Sequence, residues 1–494
     1  MLRRPFVLDL RALALLRMAV AAVVLLDLAI RSTDLEAHYT NLGVLPLYVL
    51  FERAWNPYEF SVHTSSGLWQ VQALLFLTAA GCAVGLLLGW RTRLMTVLSW
   101  MLLVSVQNRN PMIVQGGDDL LRMLLFWGIF LPWGRVWAKD AQDQPPPARY
   151  EYFSAATVAY VVQLALVYVC TAALKSGPEW RTEGTALYYA LSLDQLLMPG
   201  GRLLYPHYEL LRALTHLTFY MELLLPVLLF IPVATPVWRL VFVAAIFGFH
   251  TIISLTLFVG LFFLINFASV LGLLPASALS WLERRLGPPL RRAWGYRPRL
   301  PTWQWPWQLR VQADWHPAAR AHRHFRLLPA LRDTVLYVLL AYTIWWNLDG
   351  IARPDYALRE PLRWFGYLFR TDQHWGMFAP TVFKDDGWYI LEGRTRDGRL
   401  LDLYRGGRPV TYRKPYSIMA LHKNDRWRKY SENYLFVSNS WMRPYYCNYL
   451  LRLWQENPRN PRLKQLEVVY MKEVSLPRYR TEPVKREVLC GCAP

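Results

Sequence analysis

The chain has 494 residues, of which 54% are hydrophobic and 15% aromatic, and its formal net charge is +20. Five cysteines are too few for a disulfide-rich scaffold, and so apolar a composition is unusual for a soluble protein with 18% charged residues. Most of the long apolar runs lie in the first 275 residues, whereas the last 140 residues are polar. This segregation predicts a polytopic α-helical membrane protein with a small, mainly-β C-terminal domain.

Nine segments are long and apolar enough to cross a membrane as helices. They comprise residues 12–31, 68–89, 93–108, 119–138, 155–175, 209–232, 237–256, 257–275 and 333–350. The first follows a basic N-terminus without an Ala-x-Ala-type cleavage site, so we interpret it as a retained span rather than a signal peptide. The apolar run from 237 to 275 is too long for one span, and Gly260 is the expected turn between two. The sequence thus predicts about nine transmembrane helices.

Basic residues lie mainly on one side of these spans. They comprise Arg3, Arg4, Arg91, Arg93, Arg135, Lys139, Arg149 and eleven Arg within 281–332. Loops 32–67, 109–118 and 176–208 contain few basic residues. By the positive-inside rule the N-terminus is then cytoplasmic, and nine spans place residues 351–494 outside the cell membrane.

The predicted organisation is a transmembrane bundle at 1–280, a basic cytoplasmic loop at 281–332, a last transmembrane helix at 333–350 and an extracytoplasmic domain at 351–494. The basic loop contains Trp303, Trp305 and Trp307, and Arg together with Trp suits a segment lying on anionic membrane lipid. Stacking on nucleic acid is the alternative. Because topology already accounts for the charge, we expect a lipid surface and no nucleic acid as partner.

The polar C-terminal part shows strand and helix patterns. DDGWYILEGRTRDGRLLDLYRGG contains short β-type runs separated by Asp-Gly and Gly-Gly turns, and LKQLEVVYMKEVSL is typical of a late strand. Between them, VSNSWMRPYYCNYLLRLWQENP predicts an amphipathic helix. On an oxidising side of the membrane, Cys447 is expected to pair with either Cys490 or Cys492. Cys490 and Cys492 as a metal site would need further ligands, and none is near them in the sequence, so we expect no metal.

The segment AATVAYVVQLALVYVCTAALKSGPEW, residues 155–180, delivers a lysine to the end of a membrane span. Lys175 is followed by a Gly-Pro break and Trp180. A lysine that loses its hydration in an apolar environment can become a neutral amine and act as a base. The alternative is an anchor whose ammonium group snorkels to the interface.

Other ionisable residues also fall at membrane depth, where they are costly and usually face a cavity or each other. Asp118, Asp119 and Arg122 open the fourth span, and an ion pair capping that helix is the simplest interpretation. In the sixth span, His216 precedes Glu222, which we expect to be protonated or paired with a Lys or His of another span. His250 lies in the middle of the seventh. We infer a polar cavity that opens outward near the ends of spans five to eight.

Several motifs resemble bacterial HTTM (horizontally transferred transmembrane) domain proteins, a group similar to the vitamin K-dependent γ-glutamyl carboxylases. They are DLEAHYTNLGVLP, NRNPMIVQGGDDLLRMLLFW and DQHWGMFAPTVFKDDGWYILEG. ALKSGPEW resembles the Lys-containing helix end of the carboxylases, FHTIISLTLFVGLFF their His-containing helix, and MELLLPVLLF an acidic residue in an apolar run. The resemblance covers most of residues 1–275 and the outline of the C-terminal domain.

The resemblance implies a carboxylase-like mechanism in a bacterial inner membrane. In the carboxylases a neutral Lys deprotonates reduced vitamin K, oxygen adds, and the resulting base removes a γ-proton from a substrate Glu, which then takes up CO2. Lys175 would be that catalytic base, and His250 would serve the quinone or substrate pocket. Trp180, Glu222, His216, Asp118, Asp119 and Arg122 are the other expected pocket residues. The expected cofactor is reduced vitamin K or a similar quinone, and the expected partner is a Glu-containing peptide or protein.

The chain also departs from the carboxylases. Gly116-Gly117-Asp118-Asp119 replaces their Asn-Asn-His run, so no histidine role carries over to that point. Two alternatives remain: a quinone-dependent enzyme with a different acceptor, and a non-enzymatic transport, export or peptide-maturation factor in which Glu222 and Asp119 line a path.

Overall fold

A computed structural model describes residues 2–142, 144–294, 327–351 and 357–494 of the chain. This part is mostly helical, with an antiparallel β-sheet in its C-terminal region. Residues 295–326, which contain the three tryptophans of the predicted basic loop, lie outside the described residues, so the interpretation of that loop stays a prediction.

Helices account for most of the chain up to the second gap. Those of the first half of the bundle are α1 (Leu10–Ser32), α2 (Leu35–Tyr39), α3 (Leu47–Arg53), α4 (Trp69–Leu88), α5 (Thr92–Arg109), α6 (Gly116–Gly128) and α7 (Ala155–Leu174). There follow α8 (Pro178–Arg181), α9 (Ala186–Ser192), α10 (Pro199–Leu204), α11 (Tyr208–Leu224), α12 (Thr235–Thr256), α13 (Phe262–Val270), α14 (Ala276–Trp294), α15 (Leu327–Asp349) and α16 (Glu360–Phe369).

Five of the described helices are long and apolar enough to cross a membrane. They are α1, α4, α7, α12, and α11 together with its short extension to Phe230. A sixth candidate is a broken span, Phe262–Leu273 and Ala276–Arg285, bent by 104°. The chain is therefore a multi-pass membrane protein with five or six such spans, and these six correspond to the predicted segments 12–31, 68–89, 155–175, 209–232, 237–256 and 257–275.

The three other predicted spans do not meet this criterion of helix length and apolar composition. Segments 93–108 and 333–350 form α5 and most of α15, which are helical but are not among the apolar five. The prediction of a span at 119–138 is wrong, because the helix at this position, α6, already ends at Gly128. The chain folds back there, and Trp133 packs so closely on Gly128 that a β-carbon at that position would lie 2.1 Å from the indole ring.

The turn between α4 and α5 shows why a glycine is needed at one end of the bundle. Gly89 has a φ of 67°, and a β-carbon on it would lie 2.3 Å from Ala138. The buried guanidinium of Arg17 closes the same end by donating hydrogen bonds to the carbonyl oxygens of Trp133 (3.1 Å) and Trp137 (2.6 Å). This end of the bundle is held by backbone carbonyls around one arginine.

The C-terminal region forms a twisted antiparallel sheet covered by two helices. The strands of the described chain are β1 (Leu8–Asp9), β2 (Glu151–Tyr152), β3 (Asp385–Thr395), β4 (Leu400–Asp402), β5 (Arg408–Pro409), β6 (Leu463–Leu476), β7 (Arg480–Thr481) and β8 (Lys485–Cys492). The C-terminal order is β5-β4-β3-β6-β7, and β8 also pairs with β6. The helices beside the sheet are α17 (Asp425–Leu435) and α18 (Arg443–Glu456). The predicted C-terminal β-sheet is confirmed, but α16 also lies within 351–494, so the described part of this region is a mixture of sheet and three α-helices rather than mainly β.

A disulfide joins Cys447 of α18 to Cys492 of β8, which confirms one of the two expected pairings. Buried side chains of this region, such as Tyr430 and Tyr446, belong to the same hydrophobic core as the first membrane helices. The sheet region is therefore packed onto the bundle rather than tethered to it.

The C-terminal region contacts one end of the helices. Asn424 donates to Asp34 (2.8 Å), Arg426 donates to the carbonyl oxygen of Ile113 (2.9 Å), and Tyr188 donates to the carbonyl oxygen of Leu476 (2.6 Å). These contacts reach each of the three loops with few basic residues, 32–67, 109–118 and 176–208.

Other contacts hold the opposite end of the bundle. There Arg239 donates to the carbonyl oxygen of Val7 (2.7 Å), Arg11 pairs with Glu283 (2.8 Å), and Thr92 donates to Asp140 (2.7 Å).

Candidate functional site

Lys175 and Glu222 form a buried ion pair between α7 and α11. Lys175 is the residue at which α7 ends, and its backbone N–H still bonds the carbonyl of Ala172. Its Nζ donates to the Glu222 Oε2, and the two residues are only 3% and 5% exposed. The expectation that Glu222 is paired with a Lys or His of another span is confirmed. The anchor alternative does not fit so buried an ammonium group, because a snorkelling lysine reaches water.

Trp180 completes the surroundings of the lysine. Its ring centroid lies 4.3 Å from the Lys175 Nζ, a cation–π distance, and the indole is 2% exposed. The Gly-Pro break allows this return of the chain, since Pro178 starts the one-turn helix α8 that carries Trp180. Arg181 on the same turn donates to the Lys175 carbonyl oxygen (2.8 Å), which satisfies a backbone group left free at the end of α7.

A segment of the C-terminal region, residues 374–384, lies over this turn, and we call it the covering segment. The Gly177 N–H bonds the Pro380 carbonyl oxygen (3.0 Å), and the Trp180 indole N–H bonds the Phe378 carbonyl oxygen (2.8 Å). A β-carbon on Gly177 would lie 2.6 Å from Thr381, so glycine is what permits so close an approach. The lysine is therefore closed off by a segment far away in the sequence.

Charged contacts hold both ends of the covering segment. At its end, Lys384 pairs with the buried Glu179 (2.9 Å), whose second oxygen has no hydrogen-bond partner. At its start, the His374 backbone N–H bonds Asp119 (3.3 Å). Because Asp119 and Glu179 both lie in the bundle, the segment is fixed to it on either side of Lys175.

A second polar group lies on the face of α7 that carries Lys175. Tyr168, two turns earlier, donates to Asn266 (3.0 Å), and its hydroxyl lies 3.2 Å from the His250 Nε2. The Tyr168 hydroxyl is also near enough to Glu222 for the carboxylate to act on it electrostatically. His250 is 1% exposed, and its Nδ1 has no hydrogen-bond partner. His250 and Asn266 thus contact Tyr168 directly, whereas Glu222 acts on it only through its charge.

The unpartnered His250 nitrogen allows a test of whether a quinone suits this place. A buried polar atom without a partner costs free energy, and a ligand oxygen or a water can remove that cost. A quinone offers two ring oxygens on an apolar body, and His250 with Tyr168 offers matching hydrogen-bonding groups between apolar helices. These residues therefore fit a quinone-like ligand.

Asp118, Asp119 and Arg122 lie elsewhere, at the junction between the bundle and the C-terminal region. Asp119 pairs with Arg122 (3.0 Å), as the helix-capping interpretation expects. Arg122 also donates to the carbonyl oxygens of Arg370 (2.9 Å) and Asp372. Asp118 accepts the Gln115 backbone N–H (2.9 Å) and pairs with arginines of other elements. Arg122 also donates to the Gln107 side chain (3.2 Å), and none of the hydrogen-bond or ion-pair partners of these three residues is Lys175, Glu222 or His250.

His216 lies apart from both groups. It is half-buried on α11 and packs on the turn at Gly184, where a β-carbon would be 2.7 Å from its Nε2. The structure therefore brings together Lys175, Glu222 and Trp180, places His250 beside Tyr168, and leaves His216 in the middle of α11 against the turn at Gly184.

Sequence reasoning missed Tyr168, Glu179 and Lys384. Tyr168 precedes Lys175 by seven residues, so helical periodicity alone could have placed it on the lysine face. Glu179 stands in the Gly-Pro-Glu-Trp turn, but Lys384 carries no sequence signal because the contact is purely tertiary. Among the described residues, no three His, Cys, Asp or Glu side chains are placed to hold a metal ion.

Comparison of the chain with family models, curated proteins and solved structures finds no match. The functional argument therefore depends on the chemistry of the buried lysine, the carboxylate beside it and the segment that covers them.

Proposed function

We propose that this chain is an integral membrane enzyme in which Lys175 acts as a base toward a reduced quinone, and that quinone oxidation drives carboxylation of glutamate in a peptide or protein. The observation that carries the proposal is the buried Lys175–Glu222 pair beneath Trp180 and the covering segment. The same arrangement agrees with the resemblance to HTTM proteins and to the γ-glutamyl carboxylases described above.

The pair gives the lysine a means of acting as a base. In a site of low dielectric constant, transfer of a proton from the ammonium group to Glu222 replaces two buried opposite charges with two neutral groups. The neutral amine can then accept a proton from an acidic hydroxyl. Trp180 and the covering segment exclude water, which prevents competition by solvent for the same proton.

His250 and Tyr168 are the residues that would hold a quinone oxygen. The free His250 Nδ1 lies in the apolar interior, and the other ring nitrogen of His250 lies 3.2 Å from the Tyr168 hydroxyl. A reduced quinone, when bound, supplies the electrons that oxygen accepts. The residues of this chain would orient the quinone, remove its proton and keep water away.

Charge supports an acidic peptide as the second substrate. Residues 357–494 contain 25 Arg and Lys but 14 Asp and Glu. On the outer side of a membrane this excess is not explained by the positive-inside rule, which applies to cytoplasmic loops. A basic surface attracts peptides rich in glutamate. Closure of the covering segment would separate such a peptide from bulk water.

We further propose that the chain crosses a bacterial inner membrane several times, with the N-terminus in the cytoplasm and the C-terminal region outside. Support comes from the two ends of the bundle: the three loops with few basic residues contact the C-terminal region, whereas the N-terminus, residue 92 and residue 283 lie at the opposite end. Helix α5 leads from the end at residue 92 to the loop 109–118 at the other end, and α6 starts the return of the chain. The C-terminal disulfide agrees with an extracytoplasmic domain.

A transport or maturation factor is the second candidate. The observation that favours it is the buried series of Tyr168, His250 and Asn266, together with the buried Glu222, since polar groups at membrane depth can relay protons. In that case Glu222→Gln abolishes transport, whereas Lys175→Ala is tolerated. The enzyme predicts that Lys175→Ala abolishes turnover.

The deciding experiment uses the full chain purified in nanodiscs. Reduced vitamin K, oxygen, bicarbonate and a Glu-containing peptide are supplied, and vitamin K epoxide and peptide-bound CO2 are measured by mass spectrometry. Both products are expected from the parent and from the control Lys464→Met, an exposed lysine of β6. The double variant Lys175→Met/Glu222→Gln should give neither, while it leaves no buried charge unpaired.

The other outcomes separate the alternatives. Epoxide without carboxylated peptide indicates a quinone-dependent enzyme with a different acceptor. Turnover by Lys175→Ala at the parent rate would exclude this lysine as the base. No product from a folded parent protein would favour the transport or maturation factor.

A further inference from the structure

Three cysteines meet where α18 packs on the last strand of the sheet. Cys447 is fully buried on α18 and is bonded to Cys492 of β8. Cys490 is a free thiol two residues before Cys492, so both lie on the same side of the strand. The Cys490 Sγ lies against the backbone of Cys447 and 3.0 Å from the Tyr434 hydroxyl.

An irregularity in β8 brings the free thiol to this position. Val468 is opposite Cys490, but the next residue of β6, Val469, is opposite Val488, so Leu489 is an extra residue in the strand. Leu489 and Cys490 both pack against the core, whereas Val488 is 49% exposed. The bulge therefore marks the point where the exposed first half of β8 gives way to Leu489 and Cys490, which pack inward.

The site is accessible from outside. Strand β8 pairs with β6 on one side and has no partner on its other side among the described strands. Its first four residues are exposed, and Cys490 and Cys492 are half-buried. Cys490 and Cys492 are thus partly open to solvent, while Cys447 is fully buried.

We propose that Cys447, Cys490 and Cys492 form a thiol–disulfide exchange site that takes up a low-molecular-weight disulfide. The Cys490 thiolate, after losing its proton to solvent, attacks the Cys447 Sγ. A Cys447–Cys490 bond forms, the Cys447–Cys492 bond breaks, and Cys492 leaves as a thiolate. No electrons are gained or lost in this step, so it needs neither oxidant nor reductant.

The second step consumes the external disulfide. The Cys492 thiolate attacks one sulphur of a molecule R–S–S–R, and the products are a Cys492–S–R mixed disulfide and the free thiol R–SH. The protein thereby carries a reversible modification on its exposed edge strand. This site is separate from the Lys175 pair and does not depend on the function proposed for it.

The surroundings of Cys490 set the pH at which exchange starts. Burial raises the pKa of the Cys490 thiol, which the nearby Tyr434 hydroxyl and Arg443 only partly offset. Because the thiolate is the attacking species, exchange should be slow at neutral pH and should accelerate about tenfold per pH unit until the thiol is ionised.

The test incubates the full-length protein in detergent with oxidised glutathione at pH 8.5. After an acid quench, free thiols are alkylated and disulfide-linked peptides are identified by mass spectrometry. The expected product contains glutathione on Cys492 and a Cys447–Cys490 bond. Glutathione on Cys490 with the Cys447–Cys492 bond intact, or no glutathione at all, would overturn the proposal.

Two variants isolate the exchange step. Cys490→Ser should retain the Cys447–Cys492 bond and lose glutathione uptake at these positions, whereas the control Cys82→Ser, a buried cysteine of α4, should behave as the parent. Cys492→Ser should form the Cys447–Cys490 bond without glutathione. Two free thiols in folded Cys492→Ser would contradict the inferred geometry, and if that variant does not fold, the peptide map of the parent decides.

Discussion

Arg426 and Asp118 meet inside the protein, with 2.5 Å between the Arg426 Nη1 and the Asp118 Oδ2, although 308 residues separate them. Arg426 also pairs with Asp27 (2.6 Å), and both aspartates pair with Arg31 (2.6–2.7 Å). Each of the four residues is at most 5% exposed. Two positive and two negative charges therefore balance in one network, which joins α17 to α1 and α6.

Arg426→Met should destabilise the protein strongly. It leaves two buried aspartates with one arginine, and an uncompensated buried charge costs about 3–5 kcal/mol. The control is Lys423→Met. Lys423 pairs with Asp34 but is largely exposed, so we expect the free energy of unfolding to change by less than about 1 kcal/mol. Thermal unfolding in detergent measures both. Equal unfolding temperatures for the two variants would show that the network does not hold the C-terminal region.

The Lys175–Glu222 pair predicts a rescue. Lys175→Met leaves a buried carboxylate and should cost about 3–5 kcal/mol of unfolding free energy, whereas Lys175→Met/Glu222→Gln removes both charges and should regain most of it. Unfolding temperatures are compared with quinone turnover on the same preparations. Recovery of stability without recovery of turnover separates the chemical role of the pair from its structural role, and a double variant as unstable as the single one would argue against a mutual pairing.

The covering segment should open when its Lys384 contact is removed. Lys384→Met leaves the buried Glu179 without a cation, so we expect faster modification of Lys175 by a small amine-reactive reagent. Peptide mass spectrometry measures the modification of Lys175 over time. Lys472→Met is the control, because its pair with Asp385 is more exposed and lies outside this segment. Unchanged modification of Lys175 would show that Lys384 does not keep the segment closed.

Asp386 predicts a pH dependence of stability. It lies on β3, is 2% exposed and accepts the Asp194 backbone N–H (2.5 Å), while Asp194 pairs with Lys414 (2.7 Å) and Lys414 also pairs with Glu473. Burial and the Asp194 charge raise the pKa of Asp386 to about 7. An unfolded aspartate has a pKa of about 3.9, so the folded protein binds the extra proton between these values.

The direction of the pH dependence follows from this difference between the folded and the unfolded pKa. Stability contributed by protonated Asp386 is complete below about pH 4 and is lost as the pH rises through about 7. Asp386→Asn keeps a neutral side chain at every pH. Above pH 7 its free energy of unfolding should therefore exceed that of the parent by on the order of 1–3 kcal/mol. Chemical unfolding between pH 5 and 8.5 measures the difference. A constant difference across this range would contradict the raised pKa.

The membrane helices and the Lys175–Glu222 pair were predictable because both follow from the cost of moving groups out of water. An apolar run of sufficient length forms a span, and a carboxylate within such a run requires a partner. The prediction of a span at 119–138 was wrong because hydropathy carries no information about the packing of Trp133 on Gly128, where the helix ends.

Asp118 shows what sequence reasoning lacked. Its apolar neighbourhood suggested a pocket residue, but its charge is balanced by Arg426, which arrives from the C-terminal region. The same limit applies to the covering segment, since no local pattern connects Lys384 to Glu179. The disulfide was narrowed to two pairings because three cysteines fall in the predicted extracytoplasmic region, and only the structure shows that Cys447 pairs with Cys492 rather than Cys490.

The position of the covering segment also has a consequence for biosynthesis. Trp180 and Phe378, which it brings into contact, are separated by 198 residues. During translation, α7 and α11 therefore enter the membrane well before the segment that closes them leaves the ribosome. In that interval Lys175 and Glu222 neutralise each other without a cover, and the cover is completed only when the sheet region has folded back onto the bundle. Newly inserted chains should accordingly pass through an intermediate that is integrated into the membrane but in which Lys175 is still accessible.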